Sequence, residues 1–246
     1  MPQNDHRPLD DKLGELRRLQ EDMLRCVTDQ LEEAALALLE RDTDRANAVR
    51  VSDDEIDALE LHIDSLCERI LALHTPVAVD LRLILTAVKI NTDLERIGDH
   101  AKNLAKSTAP LADWEAFLEQ TELRALARTV RDELAGAAQA FLDQDADYAR
   151  EIIERDEEAN ALYDGIFDTI TRLSQKHPEG SEALIYLVTA AKALERIGDH
   201  AKNIAESIVF LEEGKDIRHG GLEEEAAGFS GDLGGKIPPT SKLPGK

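Results

Sequence analysis

The chain has little cysteine, few aromatic side chains and no excess of positive charge, and each shortage closes off a class of function. Its two cysteines, Cys26 and Cys67, stand far apart inside helical patterns and form no CxxC pair. A thiolate metal centre or a disulfide framework is thereby disfavoured, and a reducing cytoplasm is the expected compartment. Only 29 Lys and Arg face 51 Asp and Glu, for a formal net charge of −22. Binding nucleic acid through its phosphates needs a basic face that this composition does not supply. Unaided docking to an anionic membrane is disfavoured for the same reason, whereas cations or a basic partner surface suit it. No apolar run reaches the roughly 18 residues that would suggest a membrane span. The opening Met1-Pro2-Gln3-Asn4-Asp5 lacks the basic and apolar regions of a secretory signal. Also missing are the Glu-x-x-His pairs of di-iron enzymes, the GxxxxGK[ST] loop of nucleotide hydrolases and the GxSxG of serine hydrolases.

What is present is helical periodicity. Aromatics make up 4% of the residues, and Ala and Leu carry most of the apolar content, which favours helices packed through slim aliphatic seams. A first helix is expected from Leu9 to Leu39, with Leu13, Leu16, Leu24, Val27, Leu31, Ala34 and Leu38 on one face. After the turn Arg41-Asp42-Thr43-Asp44, with Asp42 or Asp44 as cap, a second helix places Ile56, Leu59, Ile63, Leu66 and Ile70 on its seam. Thr75 and Pro76 are expected as N-cap and first residue of a third helix. That helix carries Ala87, Ile90, Leu94, Ile97, Ala101 and Leu104 and ends near Pro110.

The second half repeats the plan. Asp145-Ala146-Asp147, Ala161-Leu162 and Ile166 follow Asp42-Thr43-Asp44, Ala58-Leu59 and Ile63 at an offset of 103, and His177-Pro178 replaces Thr75-Pro76. Leu94-Glu95-Arg96-Ile97-Gly98-Asp99-His100-Ala101-Lys102-Asn103 recurs letter for letter as Leu194 to Asn203, at an offset of 100. The expected fold is therefore all-α: two tandem, pseudo-symmetric three-helix bundles of six long antiparallel helices, over residues 9–110 and 111–212. The segment 213–246, rich in Gly, Pro, Glu and Lys, is expected to be a disordered tail.

Placed on a helix, the repeated decapeptide puts Asn91, Glu95, Asp99 and Asn103 in one row, with Glu195, Asp199 and Asn203 in the other copy. The row lies beside the apolar seam. A mid-helix glycine costs about 1 kcal/mol against alanine, so Gly98 and Gly198 imply that something approaches closely there: a neighbouring helix or a coordinated ion. The second helix of each unit carries another acidic set, Asp53, Asp54, Glu55 and Asp57, matched by Asp156, Glu157, Glu158 and Asn160. Two helices offering oxygens at i and i+4 can converge on a cation, and oxygen-only ligation favours Mg, Mn or Fe. Alternatively Arg96, Lys102, Arg196 and Lys202 neutralise the row as salt bridges on a solvated face. His100 and His200 point about 100° away from the row and suit hydrogen bonding or an interface better than ligation. Asp143 to Asp147 imitates part of a calcium loop, but Tyr148 stands where that loop needs glycine, so a turn and helix cap are expected.

Asp93 to Asn103, its second copy and the two acidic stretches together resemble the signature of the PhoU family, over roughly residues 10 to 212. The resemblance implies multinuclear metal sites, of iron or zinc in some members, on Asp53, Asp57, Glu95 and Asp99 and on Asp156, Asn160, Glu195 and Asp199. Asn160 departs from the usual Asp, which implies weaker binding or fewer ions in the second site. The resemblance also implies a non-enzymatic negative regulator of the phosphate-starvation response. Its expected partners are the ATPase subunit of a high-affinity phosphate ABC transporter, a sensor histidine kinase and a second copy of itself. It would be cytoplasmic, reaching the inner face of the membrane through those partners. A carboxylate-bridged metalloenzyme and a metal-free helical adaptor are the alternatives.

Overall fold

The computed structural model describes residues 8–217. Helices α1 (Pro8–Glu40), α2 (Thr43–Leu73) and α3 (Val79–Lys106) form the first bundle. Two short helices, α4 (Thr108–Leu111) and α5 (Glu115–Glu119), lead into a second bundle of α6 (Leu123–Asp143), α7 (Ala146–Lys176) and α8 (Ser181–Glu213). The molecule is all-helical, with two three-helix bundles as expected. At 1.5 Å per residue the 33 residues of α1 span about 50 Å. Leu16, Met23, Leu31, Ile56, Ile63, Ile90, Leu94 and Ile97 fill the first bundle, and Leu126, Val130, Leu187, Leu194, Ile197 and Ile204 the second. The bundles are joined lengthwise, α3 lying along α8 and α1 against α6.

Both long-helix turns are built alike. Arg41 (φ 60°) and Gln144 (φ 56°) take left-handed conformations at the ends of α1 and α6. The next residue sends its N–H back to Ala37 O (2.9 Å) or Ala140 O (3.0 Å), which closes each helix end. Asp42 then caps α2 through the N–H groups of Asp44 (3.0 Å) and Arg45 (2.9 Å), and Asp145 caps α7 through Tyr148 N (2.9 Å). The segment resembling a calcium loop is thus a turn and cap.

The start of α3 differs from expectation. Thr75 and Pro76 do not open the helix; the chain stays non-helical until Ala78, at φ 48°, and α3 begins at Val79. In the second copy Pro178 does sit at the first position of a helical turn, the 3₁₀ segment Pro178–Gly180 that precedes α8. That turn is pinned by aromatic rings. Trp114 and Phe117 pack 4.7 Å apart, Phe117 lies 5.6 Å from His177, and a Cβ on Gly180 would come within 2.6 Å of Phe117. Pro110 acts at a distance: its ring is incompatible with a helical bond to the carbonyl of Lys106, four residues earlier, and α3 ends at Lys106.

Of the segment expected to form a tail, 218–246 lies outside the described residues. At its start Glu213 pairs with Arg150 at 2.7 Å, Gly214 (φ 73°) ends α8, and Ile217 packs on the core. Among the described residues no helix is long and apolar enough to cross a membrane.

Candidate cation sites on the two bundles

In the first bundle the acidic stretch of α2 meets the repeated row of α3. Asp53 is 5% exposed and sits where α1, α2 and α3 converge. Gln30, from α1, donates its Nε2 to Asp53 Oδ1 at 3.1 Å. Lys102 donates to Asp53 Oδ2 and also reaches Asp99 Oδ1 at 2.9 Å, so one ammonium bridges the two motifs. These bonds raise the pKa of Lys102 and lower that of Asp99. Glu95, next in the row, is pushed up by burial and then by the charge of Asp99. Asp57 points to solvent rather than towards Asp53. Its neighbour Glu60 is raised by burial, then by Asp64 and Asp57. Asn91 donates to Asp64 Oδ1 at 2.8 Å and to Glu60 O at 3.1 Å, which ties α3 to α2.

The second bundle repeats the frame with different contents. Asp156, 3% exposed, takes the place of Asp53. Lys202 donates to its Oδ2 at 2.9 Å, and the exposed Asn160 donates to the same oxygen at 3.0 Å. Asp199 pairs instead with Arg196 at 3.2 Å, and its pKa is raised by burial, then by Glu195 and Asp156. Glu195 pairs with Lys192 at 2.6 Å. Position 133 stands 103 residues after Gln30 and is a glutamate. Glu133 is 2% exposed, neither carboxylate oxygen has a hydrogen-bond partner, and burial followed by Asp156 and Glu158 pushes its pKa up to about 8.

The paired glycines make room for these side chains. A Cβ on Gly98 would stand 3.3 Å from Gln30 Oε1 and 3.3 Å from Ile56; one on Gly198 would stand 3.2 Å from Glu133 Oε2 and 3.8 Å from Asp156 Oδ1. The close approach inferred from those glycines is that of α1 and α6. Sequence reasoning did not single out Glu133. The signal was there: it is a charged residue on the seam of Leu126, Val130, Ala137 and Ala140, aligned with Gln30 by the same offset that relates the two caps.

Among the described residues no three Asp, Glu, His or Cys side chains gather closely enough to form a ready-made metal centre. Lysine ammonium groups engage both buried aspartates instead. Arg96 comes within 3.5 Å of Glu95 in the row and also acts on Asp99 and Glu60. Several buried oxygens are left without donors, namely Gln30 Oε1, Asn91 Oδ1 and both oxygens of Glu133. Acceptors in that state fit a hard cation. Of the eight candidate ligands, Asp53 and Asp99 are joined through Lys102, and Glu95 lies one turn from Asp99; Asp156 is held by Lys202 and Asn160 and acts on Asp199, with Glu195 one turn away, while Asp57 is exposed.

His100 and His200 meet across the α3–α8 seam, their rings stacked with centroids 5.8 Å apart. Since they occupy the same place in the repeat, their meeting marks the pseudo-twofold axis. His200 Nδ1 lies 2.8 Å from Asp93 Oδ1; the matching position 193 is alanine, so His100 is denied the reciprocal bond. Burial, then the facing ring of His200, lowers the pKa of His100. Cys26 and Cys67 are free thiols, and burial raises Cys67 to about 11, which leaves it unreactive.

Two fused three-helix bundles with a carboxylate–lysine motif duplicated across a pseudo-twofold axis define a class of helical protein. The PhoU domain model matches residues 21–108 and 123–208. The chain belongs to the PhoU family. It is 36% identical over 206 residues to the phosphate-specific transport system accessory protein PhoU homolog of Pseudomonas putida, covering 83% of this chain and 80% of that one. The homolog from Caulobacter vibrioides is 35% identical over 189 residues, covering 76% and 82%. The crystal structure of PhoU from Pseudomonas aeruginosa superposes with a TM-score of 0.78 at 33% identity, covering 83% of this chain and 99% of that one. The phosphate transport system regulatory protein PhoU from Streptococcus pneumoniae gives 0.77 at 28%, covering 85% and 98%.

Proposed function

We propose that the protein is an accessory regulator of a phosphate transport system that acts by protein contacts and not by catalysis. Membership of the PhoU family through both bundles carries this reading, since the relatives' names describe accessory and regulatory proteins of phosphate transport. In its finer form, the protein restrains the phosphate-starvation response by coupling the ATPase subunit of a phosphate ABC transporter to a sensor histidine kinase, as a homodimer at the inner face of the membrane. The net charge of −22 suits basic surfaces on such partners. The test is twofold. Deletion of the gene should switch phosphate-starvation genes on in phosphate-replete cells, and the purified protein should retain the transporter ATPase subunit and the kinase on a column. An unchanged gene set in the deletion strain would remove the regulatory role.

The carboxylate clusters are proposed as cation sites, with Asp53, Glu95 and Asp99 as donors on the first bundle and Asp156, Glu195 and Asp199 on the second. A bound Mg, Mn, Fe or Zn ion would supply the positive charge that holds the two motif helices together. The buried oxygens without donors support this. A second reading, favoured in the first bundle by the bridging Lys102, is a metal-free adaptor whose lysines serve as built-in cations. Elemental analysis of protein purified without a metal-affinity step separates the two, because a metal-free preparation that stays so after exposure to Fe, Mn, Mg and Zn leaves the lysine reading.

A further inference from the structure

We propose that Glu133 is a cation ligand that joins Asp156, so that α6 gives the second bundle's site a buried carboxylate where the first bundle offers only the neutral amide of Gln30. This rests on the cation reading above and adds a donor that lies outside both repeated motifs. A carboxylate sealed from water without a donor is unfavourable unless a proton or a cation compensates it. Glu133 meets that description, being 2% exposed with both oxygens lacking partners. Its Oε2 and Asp156 Oδ1 approach one point, the place where a Cβ on Gly198 would stand, from 3.2 and 3.8 Å. Lys202 and Asn160 both engage the other oxygen of Asp156, Oδ2, and leave the Glu133-facing side without an ammonium.

Access exists along a groove of about 1080 Å³, on whose wall Glu133 lies together with Asp132, Arg155 and Glu158. In the first bundle the same position presents the Gln30 amide, whose Nε2 donates to Asp53 Oδ1 and whose Oε1 takes the place of Glu133 Oε2 without its negative charge. With oxygen donors alone, the ion is a hard divalent one such as Mn or Mg. The order of affinity expected from Asn160 is thereby reversed: the carboxylate lost there is replaced by Glu133 from α6.

The experiment is a Mn(II) titration of the metal-stripped full chain, following free Mn(II) by electron paramagnetic resonance, with circular dichroism to establish folding. Wild type should show a tighter site that weakens about tenfold or more in Glu133→Gln and in Asp156→Asn. Glu133→Gln is expected to fold, since it installs the residue that the first bundle already carries. The converse variant, Gln30→Glu, should tighten Mn(II) binding in the first bundle. If Glu133→Gln binds Mn(II) like wild type while Asp156→Asn does not, Glu133 is only a buried neutral acid and the two-motif cation sites survive without it. If wild type leaves millimolar Mn(II) free, the ligand role of Glu133 and the cation reading of the motifs fall together.

Discussion

The two bundles share a ten-residue segment letter for letter, yet their interiors are in different electrostatic states. Around Asp53 the charges close: Gln30 offers an amide, and Lys102 bridges Asp53 and Asp99. Around Asp156 they do not: Lys202 serves one aspartate, Asp199 turns to Arg196, and Glu133 adds an acid without a partner. The difference comes from the helix that carries no motif. A motif fixes which oxygens two helices present, and the third helix decides whether those oxygens are compensated within the protein or from outside it.

The largest effect should come from removing the bridging charge. Lys102→Met leaves Asp53 and Asp99 without their shared ammonium and should cost about 2–3 kcal/mol in urea unfolding, below the full value for a buried pair because Lys102 is partly exposed. Lys202→Met, which frees one aspartate that keeps its Asn160 bond, should cost about half as much. Equal losses would mean that the bundles are compensated alike.

Next come the exchanges at the third helix. In metal-free protein, Glu133→Gln should stabilise the fold by about 1–2 kcal/mol by replacing an unpartnered acid with an amide that can donate to Asp156. Gln30→Glu should destabilise it by a similar amount, since the donor to Asp53 is lost. Denaturant midpoints for the pair test this, and opposite signs are the expected outcome.

The pH dependence follows from Glu133. Its folded pKa, about 8, lies above the ordinary 4.5, so over that window the folded protein holds a proton that the unfolded chain has released. Stability from this group is complete below the lower value and is lost as pH rises through the upper one. The groups acting on it are Asp156, Glu158 and Arg155 from α7 and Lys202 from α8. The melting temperature of metal-free wild type should therefore fall more steeply between pH 5 and about 8 than that of Glu133→Gln. Parallel curves would show Glu133 to be ionised throughout.

The smallest effect concerns the two matched turns. Arg41→Gly and Gln144→Gly relieve left-handed conformations at φ 60° and 56° and should change stability by at most about 1 kcal/mol. Each exchange also gives up a side-chain contact, of Arg41 with Glu115 at 2.6 Å and of the Gln144 amide oxygen with Arg17 at 3.0 Å, so thermal midpoints of the two variants should shift alike.

The helices, caps and duplication were legible in sequence because they depend on spacing along one strand of chain. Asp42 and Asp145 announced their helices, and the seam residues from Ala87 to Leu104 gave α3 its face. The exceptions arose where the chain answers to something distant. Pro76 looked like a helix start, but its counterpart Pro178 opens a turn that Trp114 and Phe117 hold from another segment, and Pro76 opens none. The row Glu95 and Asp99 was legible for the same local reason. The split between buried Asp53 and exposed Asp57, and the role of Glu133, were not, because burial depends on which face α1 or α6 covers.

The stacked pair on the pseudo-twofold axis has a further meaning in terms of proton counting. Elsewhere matched positions of the two halves can differ, as Gln30 with Glu133 or Asp93 with Ala193 show. At the axis each residue faces its own duplicate, so a lysine or glutamate placed there would meet its own charge. Histidine suits the place by being flat, and burial followed by the ring of His200 discourages a proton on His100. A proton arriving on His100 must therefore overcome both its burial and its own duplicate across the seam.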